Sequence, residues 1–127
     1  MKIIIVDDEE VVRDSLIGFL KQMRHHCKAV SGGKKALSMI KNWNPNVVIT
    51  DYKMPNMNGF ELLKIIKKEY PKIKVLLLTA FADAENAAIE AGAYGICLKS
   101  NDLIKFTKLI KQIEMESLVG ISGIPQN

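Results

Sequence analysis

Three aspartates, a threonine and a lysine occupy matching places in this chain: each follows directly on a short run of apolar, β-forming residues. Asp7 and Asp8 follow IIIV, Asp51 follows VVIT, Thr79 follows VLLL and Lys99 follows GICL. The three aspartates carry three negative charges and Lys99 returns one positive charge. Carboxylates crowded in this way relieve the excess by raising a pKa or by binding a divalent cation. All-oxygen ligands favour Mg2+, which keeps several waters and takes one or two carboxylates together with phosphate oxygens. Singly, each residue has an ordinary explanation: acids at a helix start for Asp7 and Asp8, a β-former for Thr79, a surface charge for Lys99. Jointly they do not, because stability does not require four strand ends to carry polar groups of complementary sign.

The elements that must position these residues are legible from periodicity. Short β-rich runs alternate with helical patterns, which is the signature of a parallel sheet covered on both faces. Strands are expected at 3–6, 26–30, 47–50, 75–78 and 95–98, mostly apolar as doubly buried parallel strands are. The second reads as an alternation, with Cys27 and Ala29 on one face. A first helix carries Val12, Leu16, Phe19, Leu20 and Met23 at 3.6-residue spacing. A second follows Ser31 as N-cap, turns Ala36, Leu37 and Ile40 inward and stops before Pro45. A third starts near Gly59, buries Leu62, Leu63 and Ile66 and ends before Pro71. A short fourth spans 83–91 and is ended by Gly92. A fifth starts after Asn101 as cap, with Leu103, Phe106, Ile110 and Ile113 inward. In such an α/β chain, a (βα)5 doubly wound five-stranded parallel sheet, ligands bind beyond the carboxyl ends of the strands. That is where all five polar residues stand.

Length and composition agree. A chain of 127 residues fits one domain with a real core. Its 48% hydrophobic and 25% charged residues are ordinary for a globular protein. No apolar run approaches the roughly 20 residues of a membrane span, and Lys2 leads straight into the first strand, so neither membrane insertion nor a signal peptide is expected. Two cysteines make no disulfide framework and suit a reduced, cytoplasmic setting. The net charge of +4 is spread along the chain rather than gathered in one block. Residues 1–116 are expected as the domain and 117–127, SLVGISGIPQN, as a tail or the start of a linker. SGGKKA at 31–36 lacks the upstream glycine and the Ser or Thr of a phosphate loop and reads as the beginning of a helix. His25, His26 and Cys27 have no second cluster to complete a metal site. Trp43 and Tyr52 read as local packing or loop residues rather than a nucleic-acid platform.

The ordered set Asp7-Asp8, Asp51 with Met54-Pro55 and Gly59, Thr79-Ala80, Gly92-Ala93 and Lys99 resembles the receiver domain of bacterial two-component response regulators, over roughly residues 2–114. The resemblance implies a flavodoxin-like strand order 2-1-3-4-5. It implies that Asp51 accepts a phosphoryl group from a histidine kinase or phosphotransfer protein. Mg2+ (or Mn2+) would be held by Asp8 directly, Asp7 through water, a carboxylate oxygen of Asp51 and the backbone carbonyl of Lys53. Thr79, with Ala80 beside it, and Lys99 would contact phosphoryl oxygens. Output would pass to a further domain or a downstream protein through the face of the fourth helix, fifth strand and fifth helix, where a homodimer could also form; direct nucleic-acid binding is not expected. Such a domain promotes its own phosphorylation without being a dedicated enzyme.

Departures from the family pattern fall on the signalling side. Ile96 stands where the family usually has Tyr or Phe, Ser100 replaces the usual proline after the lysine, and the interval from Thr79 to Gly92 is short. Lys53 and Phe81, two residues past Asp51 and Thr79, occupy positions that border the attacking-water path in receivers, and both are expected to slow loss of the phosphoryl group. Two other classes stay open: a pseudo-receiver interaction module not controlled by phosphorylation, and a flavodoxin-like cofactor binder or Mg2+-dependent hydrolase on the same fold class.

Overall fold

The computed structural model describes residues 1–80, 84–99 and 103–122. Apolar side chains on both sides of a strand force it to be covered twice, and this chain supplies four such strands and a fifth that alternates, with helices between them. In chain order they are β1 (Lys2–Val6), α1 (Glu10–Gln22), β2 (His26–Val30), α2 (Gly33–Trp43), β3 (Val47–Asp51), α3 (Gly59–Glu69), β4 (Lys74–Thr79), α4 (Glu85–Glu90), β5 (Gly95–Leu98) and α5 (Leu103–Ser122). The sheet is parallel throughout, in the order β2-β1-β3-β4-β5. β3 is buried at every residue, whereas the edge strand β2 alternates because only one of its faces is fully covered.

Period-two alternation divides the core. Ile4, Val6, Val48, Val75, Leu77 and Ile96 pack with α2, α3 and α4 on one face. Ile3, Ile5, Val47, Ile49, Leu76 and Cys97 pack with α1 and α5 on the other. Continuing that parity past the strand ends aims Asp7 and Asp51 to the same side, that of α1 and α5. The inward residues expected of α3 are fully buried. The face expected of α1 buries Leu20 completely and leaves Leu16, Phe19 and Met23 half-buried against the second core.

Several local expectations need correction. The N-cap of α2 is Gly32, not Ser31, whose hydroxyl instead accepts a hydrogen bond from the Lys35 ammonium at 3.2 Å. Leu103 is not inward: it is 57% exposed, while Phe106, Ile110 and Ile113 are buried. The segment 117–122 continues α5 rather than starting a tail. One glycine inside a helix, Gly120, costs only about 1 kcal/mol relative to alanine, and no proline intervenes before Pro125. Asn101, Phe81, Ser100 and 123–127 lie outside the described residues. α3 also carries a capping box that the sequence reading overlooked: the Glu61 N–H donates to the Asn58 side chain at 2.8 Å, and the Asn58 N–H to the Glu61 carboxylate at 3.2 Å.

Candidate functional site

Each strand of the sheet's centre ends on one of the polar residues singled out above. β3 ends on Asp51, 4% exposed, and β4 on Thr79, 1% exposed; Asp7, one residue past β1, is 1% exposed. Asp8 is exposed. Lys99 follows β5, and its N–H donates to the Thr79 carbonyl at 2.8 Å, which ties the ends of the last two strands together. Potential ligand oxygens of Asp7, Asp8 and Asp51 all lie within 4.8 Å of one another. A cavity of about 630 Å3 opens above them, bordered by Asp8, Asp51, Lys53, Pro55, Thr79, Ala80 and Lys99.

The Lys99 ammonium closes this cluster. It donates to Asp51 Oδ2 at 2.8 Å and sits 3.3 Å from Asp7 Oδ2 and 3.4 Å from Glu9 Oε1. Burial alone would lower its pKa. The hydrogen bond and charge of Asp51, followed by those of Asp7, outweigh burial and hold it above the usual lysine range. The Asp7 pKa is also raised, chiefly because it is buried, which for a carboxylate disfavours the charged form. The N–H of Glu9 on its Oδ1, at 2.9 Å, opposes the shift and the charge of Asp51 adds to it. Asp7 Oδ2 is buried, with the Lys99 ammonium 3.3 Å away. The lone lysine therefore leaves the trio undercompensated, and an all-oxygen, net anionic set suits a hard divalent cation.

Local backbone bonds keep the arrangement stiff. The Asp7 N–H donates to the Val30 carbonyl at 3.1 Å, and Arg13 Nη1 donates to the Asp7 carbonyl at 2.8 Å. The loop after Asp51 folds back tightly: the Tyr52 N–H donates to Leu78 O at 2.8 Å, and the Gly59 N–H to Tyr52 O at 2.7 Å. A Cβ on Gly59 would lie 2.2 Å from the carbonyl oxygen of Asp51, so only glycine allows α3 to start this close to the strand.

The site thus brings together Asp7, Asp8, Asp51, Lys53, Thr79, Ala80 and Lys99. Ile96 lies elsewhere, 4% exposed in the core shared with α2, α3 and α4 and paired with Leu77. Phe81 and Ser100 lie outside the described residues. Two contributors were given no role from sequence: Glu9, which adds a third carboxylate at the Lys99 ammonium, and Arg13, which steadies Asp7 from the first turn of α1. Adjacency to the aspartates was the available signal for Glu9; Arg13 has none without the helix phase. The trio is the one group of three potential metal ligands found among the described residues, so His25, His26 and Cys27 form no such site. SGGKKA opens α2, and residues 31–35 border a separate hollow beside the site.

The profile of the response regulator receiver domain family matches residues 3–113. This chain belongs to that family. Among curated relatives of the receiver domain, the transcriptional regulatory protein LnrK of Bacillus subtilis is 34% identical over 124 residues, covering 94% of this chain and 56% of LnrK. The regulatory protein AtoC of Escherichia coli is 33% identical over 122 residues, 92% of this chain and 26% of AtoC. The receiver domain therefore spans about half of one relative's length and a quarter of the other's. Among solved structures, a response regulator receiver domain protein from Clostridium thermocellum superposes with a TM-score of 0.84 at 27% identity, covering 93% of this chain and 98% of the other. The response regulator TrrA from Thermotoga maritima, solved in complex with Mg2+-BeF, gives 0.81 at 27% identity, with 88% and 97% covered. No helix among the described residues is long and apolar enough to cross a membrane.

Proposed function

We propose that this receiver domain accepts a phosphoryl group on Asp51 and that the modification switches its contacts with other proteins. The observation that carries the reading is the Asp51 carboxylate, buried at the floor of the cavity with the Lys99 ammonium 2.8 Å from one oxygen. The donor is a phosphohistidine on a histidine kinase or phosphotransfer protein. An Asp51 oxygen bonds to phosphorus, the P–N bond breaks, and its electron pair leaves on the imidazole. A carboxylate needs no general base for this step, so the protein's part is alignment and charge neutralisation. Lys99 shifts its pairing toward a phosphoryl oxygen, and Thr79 hydrogen-bonds another. Asp8, Asp7, Asp51 and the Lys53 carbonyl would hold Mg2+ or Mn2+, which supplies positive charge against the transferring oxygens.

Output passes through α4, β5 and α5, where Ile89, Leu98, Leu103 and Ile104 are exposed, to a further domain, a downstream protein or a second copy. With Ile96 already packed in the core, Thr79 and the 80–92 segment move while 95–98 stays largely in place. The setting is cytoplasmic, and the domain is not a dedicated enzyme.

Intact-mass spectrometry after incubation with acetyl phosphate and Mg2+ tests the reading. One added phosphoryl group is expected, mapped to Asp51 and absent from Asp51→Asn. No addition with several donors would favour the pseudo-receiver; sustained turnover of the ester or flavin absorbance would favour the enzyme or cofactor-binding classes.

A further inference from the structure

At the far end of the sheet from Asp51, the first residues of β1 and β2 and the last residue of α2 enclose a groove of about 580 Å3. The five residues of β1 separate its mouth from the aspartates by roughly 17 Å of strand. Lys2, Lys21, His26 and Lys28 line the groove around Trp43, and no carboxylate does. The strand register explains the convergence: Lys2 pairs with His26 and Ile4 with Lys28, so these side chains rise on the face that α2 covers. The Lys28 ammonium lies 4.7 Å from the centre of the Trp43 ring and that of Lys2 5.5 Å from it. Lys2 Nζ also donates to the Trp43 carbonyl at 3.3 Å.

Among the described residues no carboxylate oxygen lies within 4.0 Å of the ammonium of Lys2, Lys21 or Lys28, whereas Lys99 and Lys105 are both paired. Lysines on an edge strand commonly prevent strand addition, which would account for Lys28. That does not account for Lys2, because β1 lies inside the sheet between β2 and β3. Like charges drawn to one indole repel each other, and a bound anion removes that cost.

We propose that this groove is a binding site for a compact, multiply charged, phosphate-bearing anion, separate from the Asp51 pocket. Its volume is in the range of small-molecule sites. Lysine ammoniums serve as point charges for phosphate. The ammoniums over the indole occupy the surface on which a base would stack, which argues against single-stranded nucleic acid as the ligand. The anion bridges Lys2 and Lys28, with Lys21 and His26 at the rim, and draws the ammoniums away from the ring.

Trp43 is the only tryptophan in the chain, so its fluorescence reports on the groove directly. The test is a titration of the full chain with pyrophosphate in EDTA at constant ionic strength, where the Asp51 cluster, without metal, repels anions. A saturable change is expected with a midpoint below about 1 mM. Lys28→Met is expected to weaken binding about fivefold, and Lys2→Met with Lys28→Met to remove it within the titrated range. Amide shifts in the unaltered protein should map to residues 2, 26 and 28 rather than 7, 51 and 99, which keeps the proposal testable if a variant fails to fold. A response no larger than that to sodium chloride, shifts confined to the Asp51 end, or undiminished binding by folded Lys28→Met would each overturn it. Tighter binding of hexaglutamate than of pyrophosphate would overturn the phosphate assignment in favour of an acidic protein segment.

Discussion

Replacing Gly59 by alanine tests whether the packing of α3 against Asp51 sets both the stability of the domain and the placement of its acceptor. The added methyl would lie 2.2 Å from the Asp51 carbonyl oxygen and 2.9 Å from Leu77 Cδ1. Carbon–oxygen contacts settle near 3.3 Å, so a displacement of about 1 Å is required. Neither partner yields easily. Asp51 is held in the sheet opposite Leu78, and α3 is held by its capping box and by fully buried Leu62, Leu63 and Ile66. Overpacking of this kind costs about 1–3 kcal/mol, which for a domain of this size lowers Tm by roughly 4–12 °C. A 1 Å shift of a reacting group can cost on the order of a hundredfold in rate. Labelling by acetyl phosphate, followed by intact mass, is therefore expected to slow by about that factor. Gly32→Ala is the control, because no atom lies within 4 Å of its Cβ and its φ of −168° suits any residue. Thermal denaturation followed by circular dichroism, with the labelling assay, decides the matter. A Gly59→Ala variant that melts within about 2 °C of the parent and is labelled at the parent rate would refute the reasoning.

Lys99→Met leaves the buried Asp7 and Asp51 carboxylates without their cation and is expected to cost about 3 kcal/mol; millimolar Mg2+ should recover more of the loss in this variant than it adds to the parent, and equal Mg2+ responses in the two melting curves would contradict the charge argument. Burial, aided by the terminal ammonium 2.9 Å from Nδ1, holds the His25 pKa below its ordinary 6.5, against the Glu114 carboxylate 2.6 Å from Nε2. The unfolded chain then takes up the proton first, so stability should fall as pH drops below 6.5 through the folded-state pKa; urea denaturation at pH 7.5 and about 5 should show this slope reduced in His25→Gln, and identical slopes would count against it. Lys53→Asn with Phe81→Ala is expected to shorten the phosphoryl lifetime by about tenfold, or about 1.4 kcal/mol in barrier, read as decay of the labelled mass, with an unchanged decay showing that the lifetime is set elsewhere.

The linear chain already determined the layers and the address of the site. Runs such as VVIT and VLLL must be covered on both faces, helical periods between them supply the cover, and a charged or hydroxyl residue after each run has to emerge at one end of a parallel sheet. Asp7, Asp51, Thr79 and Lys99 were legible for that reason. What only the tertiary structure decided depends on contacts between residues distant in sequence. Glu9 meets the Lys99 ammonium 90 residues away. Gly59 presses on the Asp51 carbonyl, and Lys2 and Lys28 close over Trp43. The N-cap of α2 and the exposure of Leu103 were misread because propensity names a residue type, while the side-chain direction depends on how the helix is seated. The helix runs past 116 although a glycine reads as a break in sequence, because one glycine inside a helix costs only about 1 kcal/mol. Periodicity is a local property and survives in the sequence; the approach of two side chains across the sheet is set by register and helix phase, which exist only once the chain has folded.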